Sequence, residues 1–217
     1  MSSVTRRPSR ANDRREAVEQ RVLSAVEELL SAGRSFVELS VQELADAAGV
    51  ARSTFYVHFA DKTELLVRLA EASMADMFAE GERWMTGSHE GGQDRLQQVC
   101  SRIIADFRAH APLLRAVGEA TGYDPEVFRW WRARIEAFID VTAVRIERSV
   151  AEGRTDPGLP VRPTAALVAW SIERTVSMTV VATGPDRDDD LSAALARGVW
   201  LLMYGDPAGR AGGPGDS

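Results

Sequence analysis

Apolar residues recur three or four positions apart along most of the chain, the period of an amphipathic helix and not of a strand. Val18, Val22, Val26 and Leu29 or Leu30 form the first such run, which predicts a helix from near Asp13 to a C-cap at Gly33. Ser40 with Glu43 three residues later is a capping box, so a short helix is predicted over 41–48, stopping at Gly49. A second short helix follows from about Ala51 to Val57. Asp61 and Glu64 repeat the start signal, and that helix can run towards Trp84. Gly87, Ser88, Gly91 and Gly92 mark a loop over 87–93. Helical patterns then cover about 94–110, 112–121, 124–152, 163–182 and 188–204. Pro112, Pro125 and Pro163 fall in first turns, where proline is tolerated, and Gly153, Gly184 and Gly205 fall just past helix ends. Pro157, Gly158 and Pro160 make 154–162 a connecting loop. No strand and no internal repeat stands out. The fold class is all-α, with about nine helices.

The segment from Ser40 to Phe59 is the most specific part of the chain. Two short helices joined at a glycine form a helix-turn-helix pattern. Leu44, Ala47 and Ala48 give the first helix a small apolar face, and Val50 and Phe55 anchor the second against it. At about 100° per residue, Arg52, Ser53, Tyr56 and Val57 share one arc facing away from Phe55. A guanidinium, a hydroxyl, a phenol and a methyl-bearing side chain suit guanine edges, phosphates and thymine methyls in a major groove. His58, Lys62 and Ser40 flank this arc at positions suited to backbone phosphates. Lys62 lies in the first turn of its helix, whose free N–H groups also attract anions. A glycine-linked pair of short helices is by itself often only structural. Tyr56, Phe59 and Lys62 sharpen the pattern.

Charge supports this division. The net charge of −6 argues against general nucleic-acid binding, but the charge is unevenly placed. Arg6, Arg7, Arg10, Arg14 and Arg15 face only Asp13 in the first 15 residues, so the leading arm is basic. Such an arm either enters a minor groove or is simply solvated. Cys100 is the single cysteine and excludes an internal disulfide. No secretory pattern follows the basic start, and no stretch is expected to approach the roughly 20 apolar residues of a membrane span. A cytoplasmic protein with no membrane partner is the simplest expectation.

Residues 41–65 closely resemble the signature of the TetR family of regulators, with Gly49, Phe55, Tyr56, Phe59 and Lys62 at matching positions. The resemblance implies that Arg52, Ser53, Thr54, Tyr56 and His58 lie at or near DNA and that Lys62 lies on a phosphate. It also implies a larger helical body that dimerises and holds an inducer. Glu173-Arg174-Thr175 and Tyr204-Gly205 further resemble a mycobacterial branch of the family. The expected domains are a disordered basic arm (1–12), a helix-turn-helix DNA-binding domain of three helices (13–60), a regulatory and dimerisation domain (61–205) and a disordered tail (206–217). A palindromic double-stranded operator needs a twofold partner about 34–36 Å away or a multiple of that. The helices over 163–182 and 188–204 look apolar on more than one face and are expected to pair with their symmetry mates; internal core is the alternative.

A ligand site is expected from two stripes. Leu96, Cys100, Ile103 and Phe107 share one helix face, and Trp131, Ile135 and Phe138 share another, with Trp170 and Met178 closing the far side. Ordinary helix packing explains each residue equally well. A small, mostly apolar ligand would fit, with Arg102, Glu173 or Arg174 supplying polar contacts or pairing among themselves. It would shift the population towards a conformer unable to span two grooves. The alternative is a regulator of the same fold with no small-molecule inducer, controlled by a protein partner. An enzyme is not expected. His58, His89 and His110 are scattered, and Cys100 has no base near it in sequence. Asp188, Asp189 and Asp190 read as a charged helix N-terminus rather than a metal site. No catalytic residue, metal or cofactor is expected.

Overall fold

The computed structural model describes residues 10–88 and 91–205. Among these residues there is no strand. The helices are α1 Arg10–Ser31, α2 Val41–Ala47, α3 Arg52–His58, α4 Lys62–Thr86, α5 Gly92–Ala109, α6 Ala111–Ala120, α7 Pro125–Ala151, α8 Val161–Ala182 and α9 Asp188–Tyr204, with one 3-10 turn, Pro185–Arg187, ahead of α9. α1 begins three residues before the expected start, so positions 10–12 of the expected arm are helical. The rest of the arm, His89 and the tail from 206 lie outside the described residues. α5 begins at Gly92, inside the expected glycine loop, and α8 begins two residues before Pro163. Pro163 still falls in a first turn, where its missing N–H has no intrahelical partner to lose.

The chain forms two compact units. The first takes α1, α2, α3, α4 as far as Ala72, and Pro112–Phe128; the second takes Ser73–Ala111 and the chain from Arg129 onward. In the first unit, Val22 and Val26 of α1, Leu44 and Ala45 of α2, Phe55 of α3, Phe59, and Leu65 and Leu66 of α4 are fully buried. The Phe55 and Phe59 rings lie 5.4 Å apart. Each buried Val, Leu or Phe among them contributes about 1.5–3 kcal/mol. Asp124 ties the first turns of α4 and α7 together. Its Oδ2 accepts from the Thr63 hydroxyl at 2.5 Å, and its Oδ1 accepts from the Glu126 N–H at 2.9 Å.

In the second unit α5 packs along α9. Leu96, Val99, Cys100, Ile103, Ile104 and Phe107 of α5 are buried, as are Leu191, Leu195, Val199 and Met203 of α9. Arg108, near the end of α5, closes the α8–α9 corner. Its Nε and Nη2 donate to the two Asp188 oxygens at 2.6 Å each. Its other donors reach the carbonyls of Thr183 at 2.9 Å, Gly184 at 2.8 Å and Val180 at 3.3 Å. The last carbonyls of a helix have no partners within it, and this guanidinium supplies them. Arg108 also holds the Asp188 carboxyl below its ordinary pKa. Asp188 thus serves a structural bond at the N-terminus of α9. Among the described residues no group of three or more His, Cys, Asp or Glu side chains is disposed to hold a metal.

α8 corrects one expectation. By length and composition it is apolar enough to cross a membrane. The reason is that two of its sides are apolar. Ala165, Val168, Ala169, Val176 and Val180 are buried, while Leu167, Trp170, Met178 and Val181 are exposed. Arg162, Glu173 and Arg174 interrupt the run.

The α2–α3 turn is closed by backbone alone. Gly49 N–H donates to Asp46 O at 3.1 Å and Val50 N–H to Ala45 O at 3.0 Å, a Schellman ending. Gly49 has φ +64°, the left-handed region. Nothing crowds the position a Cβ would take, so only the backbone is at stake. Gly49→Ala is therefore expected to cost about 1–2 kcal/mol, read from the midpoint of urea unfolding. An unchanged midpoint would show that this turn does not need the left-handed residue.

Candidate functional site

The first unit presents one face of α3 outward. Phe55 is fully buried, Arg52, Ser53, Tyr56 and Val57 are exposed, and Thr54 is intermediate. Tyr56 stands edge-on to Phe55 at 5.6 Å, and the Arg52 guanidinium lies 5.8 Å from the centre of the Tyr56 ring. That separation is within cation–π range, so the two outward groups brace each other. Ser40 caps α2 from the neighbouring surface. Its hydroxyl accepts from Glu43 N–H at 3.2 Å, and its own N–H donates to Glu43 Oε2 at 2.9 Å.

Two residues expected at DNA are placed elsewhere. His58 is buried, with Nδ1 3.2 Å from Glu19 Oε1 on α1. An ionised carboxylate only accepts, so Nδ1 is the protonated nitrogen in this contact. Arg15 Nε and Arg68 Nη1 reach the same carboxylate at 3.1 and 3.5 Å. Burial works to raise the Glu19 pKa, but the bonds from His58 and Arg15 and the charge of Arg68 bring it below the ordinary value. Lys62 Nζ donates to the carbonyls of Phe36, Val37 and Leu39 at 3.2, 2.9 and 3.1 Å. It also lies 5.3 Å from the Phe36 ring centre. An ammonium has three donors, and all three meet carbonyls of the α1–α2 loop. Partial burial lowers its pKa. His58 thus ties α3 to α1, and Lys62 ties the start of α4 to the α1–α2 loop.

The second unit contains a cavity of about 60 Å³. Its walls come from α4 (Met77, Phe78, Gly81), α5 (Ile103, Phe107), α7 (Trp131, Ile135, Phe138) and α8 (Ala169, Ile172, Glu173). A Cβ on Gly81 would meet the Phe138 ring at 3.1 Å, so glycine is what lets that ring lie against α4. Of the residues expected to line a pocket, Ile103, Phe107, Trp131, Ile135 and Phe138 gather here. Leu96 and Cys100 are buried on α5 outside the lining. Burial pushes the Cys100 thiol up to about 12, which leaves it unreactive. Trp170 and Met178 are corrected: both are exposed on the other side of α8. Arg102 pairs with Glu80 at 2.5 Å, and only Glu173 of the three polar candidates faces the cavity. Met77, Phe78, Gly81, Ala169 and Ile172 were missed because periodicity marks an apolar face without saying which helix it meets.

The comparisons agree with this geometry. Residues 23–69 match the model of bacterial regulatory proteins of the tetR family, and residues 96–205, half the chain, match the C-terminal domain of the transcriptional regulator EthR. The chain belongs to the TetR family, with an EthR-type C-terminal domain. Among curated TetR-family relatives, EthR of Mycolicibacterium smegmatis is 26% identical over 92% of this chain and 89% of its own. EthR of Mycobacterium tuberculosis is 28% identical over 93% and 92%. Among solved structures, a TetR-family regulator from Mesorhizobium loti superposes with a TM-score of 0.65 at 20% identity, covering 92% of this chain and all of that one. FadR from Bacillus subtilis, in complex with stearoyl-CoA, gives 0.66 at 22%, covering 86% and 98%. A complex of SmeT with triclosan gives 0.65 at 18%, covering 88% and 93%. These structures share the fold. The curated relatives are named as helix-turn-helix transcriptional regulators, and this TetR-family chain is a DNA-binding transcriptional regulator and not an enzyme.

In this family member the cap of α2 gives a pH test. The Ser40 N–H, Arg34 and the Ser40 hydroxyl together hold the Glu43 carboxyl at about 2, against an ordinary 4.5. A depressed folded-state pKa stabilises fully above the unfolded value and loses its effect as pH falls through the folded one. Glu43→Gln is expected to unfold at lower urea than wild type at pH 7, and the gap should close between about pH 4.5 and pH 2. A gap that persists undiminished at pH 2 would remove this account of the cap.

Proposed function

We propose that the chain is a cytoplasmic repressor that holds a palindromic operator as a homodimer and is released from it by a mostly apolar small molecule. The division of α3 carries the DNA reading: Phe55 is inside, and Arg52, Ser53, Tyr56 and Val57 are outside. Arg52 reads a guanine edge, Tyr56 and Thr54 hold phosphates, Ser53 bonds an adjacent base or phosphate, and Val57 meets a thymine methyl. Ser40 lies at a helix N-terminus suited to a phosphate on the flank. His58 and Lys62 act indirectly, by keeping α3 and the α1–α2 loop in place.

The exposed row on α8 (Leu167, Trp170, Met178, Val181), with Leu201 of α9, supports a dimer through helices 163–182 and 188–204. Isolated exposed apolar residues are ordinary, but a row along one helix marks an interface. The cavity supports a ligand. It is smaller than the roughly 300 Å³ at which drug-sized sites begin, so occupancy requires its walls to move. The half-buried Trp131 and Phe138 are the walls free to do so. α4 starts in the first unit and lines the cavity in the second, and in this reading it is the segment that carries the ligand's effect. The same small volume favours a second reading, a regulator controlled by a protein partner and not by a small molecule. Operator release by a cavity ligand separates the two.

Selection of operators from random duplex DNA is expected to enrich a palindrome with the wild-type protein. Arg52→Ala/Tyr56→Phe should lose at least about tenfold in affinity for it. Enrichment of the same motif by the variant would place the reading surface elsewhere. In sedimentation equilibrium at micromolar concentration, wild type should be a dimer and Leu167→Glu/Met178→Glu a monomer, because buried unpaired charge opposes assembly. A variant that stays dimeric would move the interface off this row.

A further inference from the structure

The cavity of the second unit contains a polar atom that the chain leaves unanswered. Glu173 on α8 faces a space otherwise lined by apolar side chains and Gly81. Its Oε2 is buried without a hydrogen-bond partner, and its side chain is only 12% exposed. Arg174 Nε stands 3.9 Å away, beyond hydrogen-bond reach, on a side chain that is 70% exposed. It therefore gives the carboxylate little compensation. A buried polar group without a partner costs free energy, and here burial raises the Glu173 pKa, more than the opposing effects of Arg174 and Ser177 lower it. Such a group in a cavity is an acceptor in want of a donor.

The rest of the wall is consistent with this. Phe78, Phe107, Trp131 and Phe138 all line the cavity, and no Lys, Arg or His does. Aromatic faces carry partial negative charge and attract cations. A carboxylate among four aromatic rings, with no cationic side chain in the lining and only the exposed Arg174 behind it, offers little to an anionic head group and much to an ammonium.

We infer that the ligand of this cavity is a lipophilic amine, with its apolar body among the aromatic side chains and its protonated nitrogen on Glu173. This rests on reading the cavity as the ligand site. It excludes fatty acids and other anionic acyl compounds as the matching class. It also sets this chain apart from the Bacillus subtilis protein whose structure holds stearoyl-CoA. Binding gives Oε2 its missing donor and adds to the distant Arg174 a hydrogen-bonded ion pair in water-poor surroundings.

The test uses three compounds with one body and different heads: 4-phenylbutylamine, 4-phenylbutan-1-ol and 4-phenylbutanoate. Each is titrated into the full chain by calorimetry at pH 7, with wild type and Glu173→Gln. The amine should bind wild type at least about tenfold more tightly than the carboxylate, with the alcohol between them. Glu173→Gln should bring amine and alcohol to within about threefold of each other, leaving the alcohol nearly unchanged. A carboxylate that binds wild type as tightly as the amine overturns the inference but leaves the cavity as a ligand site, as does an amine preference that survives Glu173→Gln. Binding of none of the three to wild type overturns the cavity reading along with it. Thermal unfolding is the second measurement. Glu173→Gln should melt no lower than wild type, because it removes a carboxylate that has no hydrogen bond at Oε2 and only a distant, exposed cation beside it. A marked fall would show that the carboxylate serves the fold, and would overturn the inference.

Discussion

Phe55 lies at the centre of the first unit, fully buried and 5.4 Å from Phe59. A helix of seven residues cannot hold its own shape in water, so α3 exists because this ring is packed. The same packing sets its rotation. With Phe55 inside, Arg52, Ser53, Tyr56 and Val57 can only point out. The capped α2 and the left-handed turn at Gly49 fix the direction from which α3 arrives. The outward face of α3 is therefore a consequence of apolar burial, and its polar groups need little support of their own beyond the Arg52–Tyr56 contact.

Two cations of the chain show how strongly backbone carbonyls compete for donors. Lys62 is the only lysine in the chain, and its three N–H groups are all spent on the loop between α1 and α2. Arg108 does the same work in the second unit, collecting the end of α8 and the start of α9. Each chain turn leaves carbonyls that neither helix satisfies. A long side chain with several donors meets that need where water is partly excluded. The Glu19 cluster has a related use: it fixes His58, and with it the buried side of α3, to α1.

The second unit follows a different rule. Its helices bury apolar faces against one another, as α5 does along α9, but the meeting of α4, α5, α7 and α8 is incomplete. Large rings such as Trp131 and Phe138 fill space in coarse steps, and the remainder is a cavity. Dispersion contacts are lost around such a gap, so the gap lowers stability and makes the walls easier to part. Placing Glu173 there adds a polar demand to the same spot. A spot that is both underpacked and unsatisfied is where the proposed ligand would gain most by entering.

The helices and their ends were legible in the sequence because both are local. Capping boxes, first-turn prolines and terminal glycines act within a few residues, and the 3.6-residue period separates Phe55 from Arg52 and Tyr56 before any packing is known. The family signature was legible for the same reason, since Gly49 to Lys62 is one short span. What local rules could not give was the partner of each long side chain. His58 and Lys62 looked like outward cations by position, yet His58 turns to a carboxylate 39 residues away and Lys62 to carbonyls 23 to 26 residues away. The apolar stripes of α5 and α7 were visible, but Leu96 and Cys100 proved to face ordinary core, and Trp170 and Met178 to face outward. Periodicity fixes that a face is apolar. Whether that face meets another helix, a cavity or a second molecule depends on how separate helices pack, and only the tertiary structure decides that.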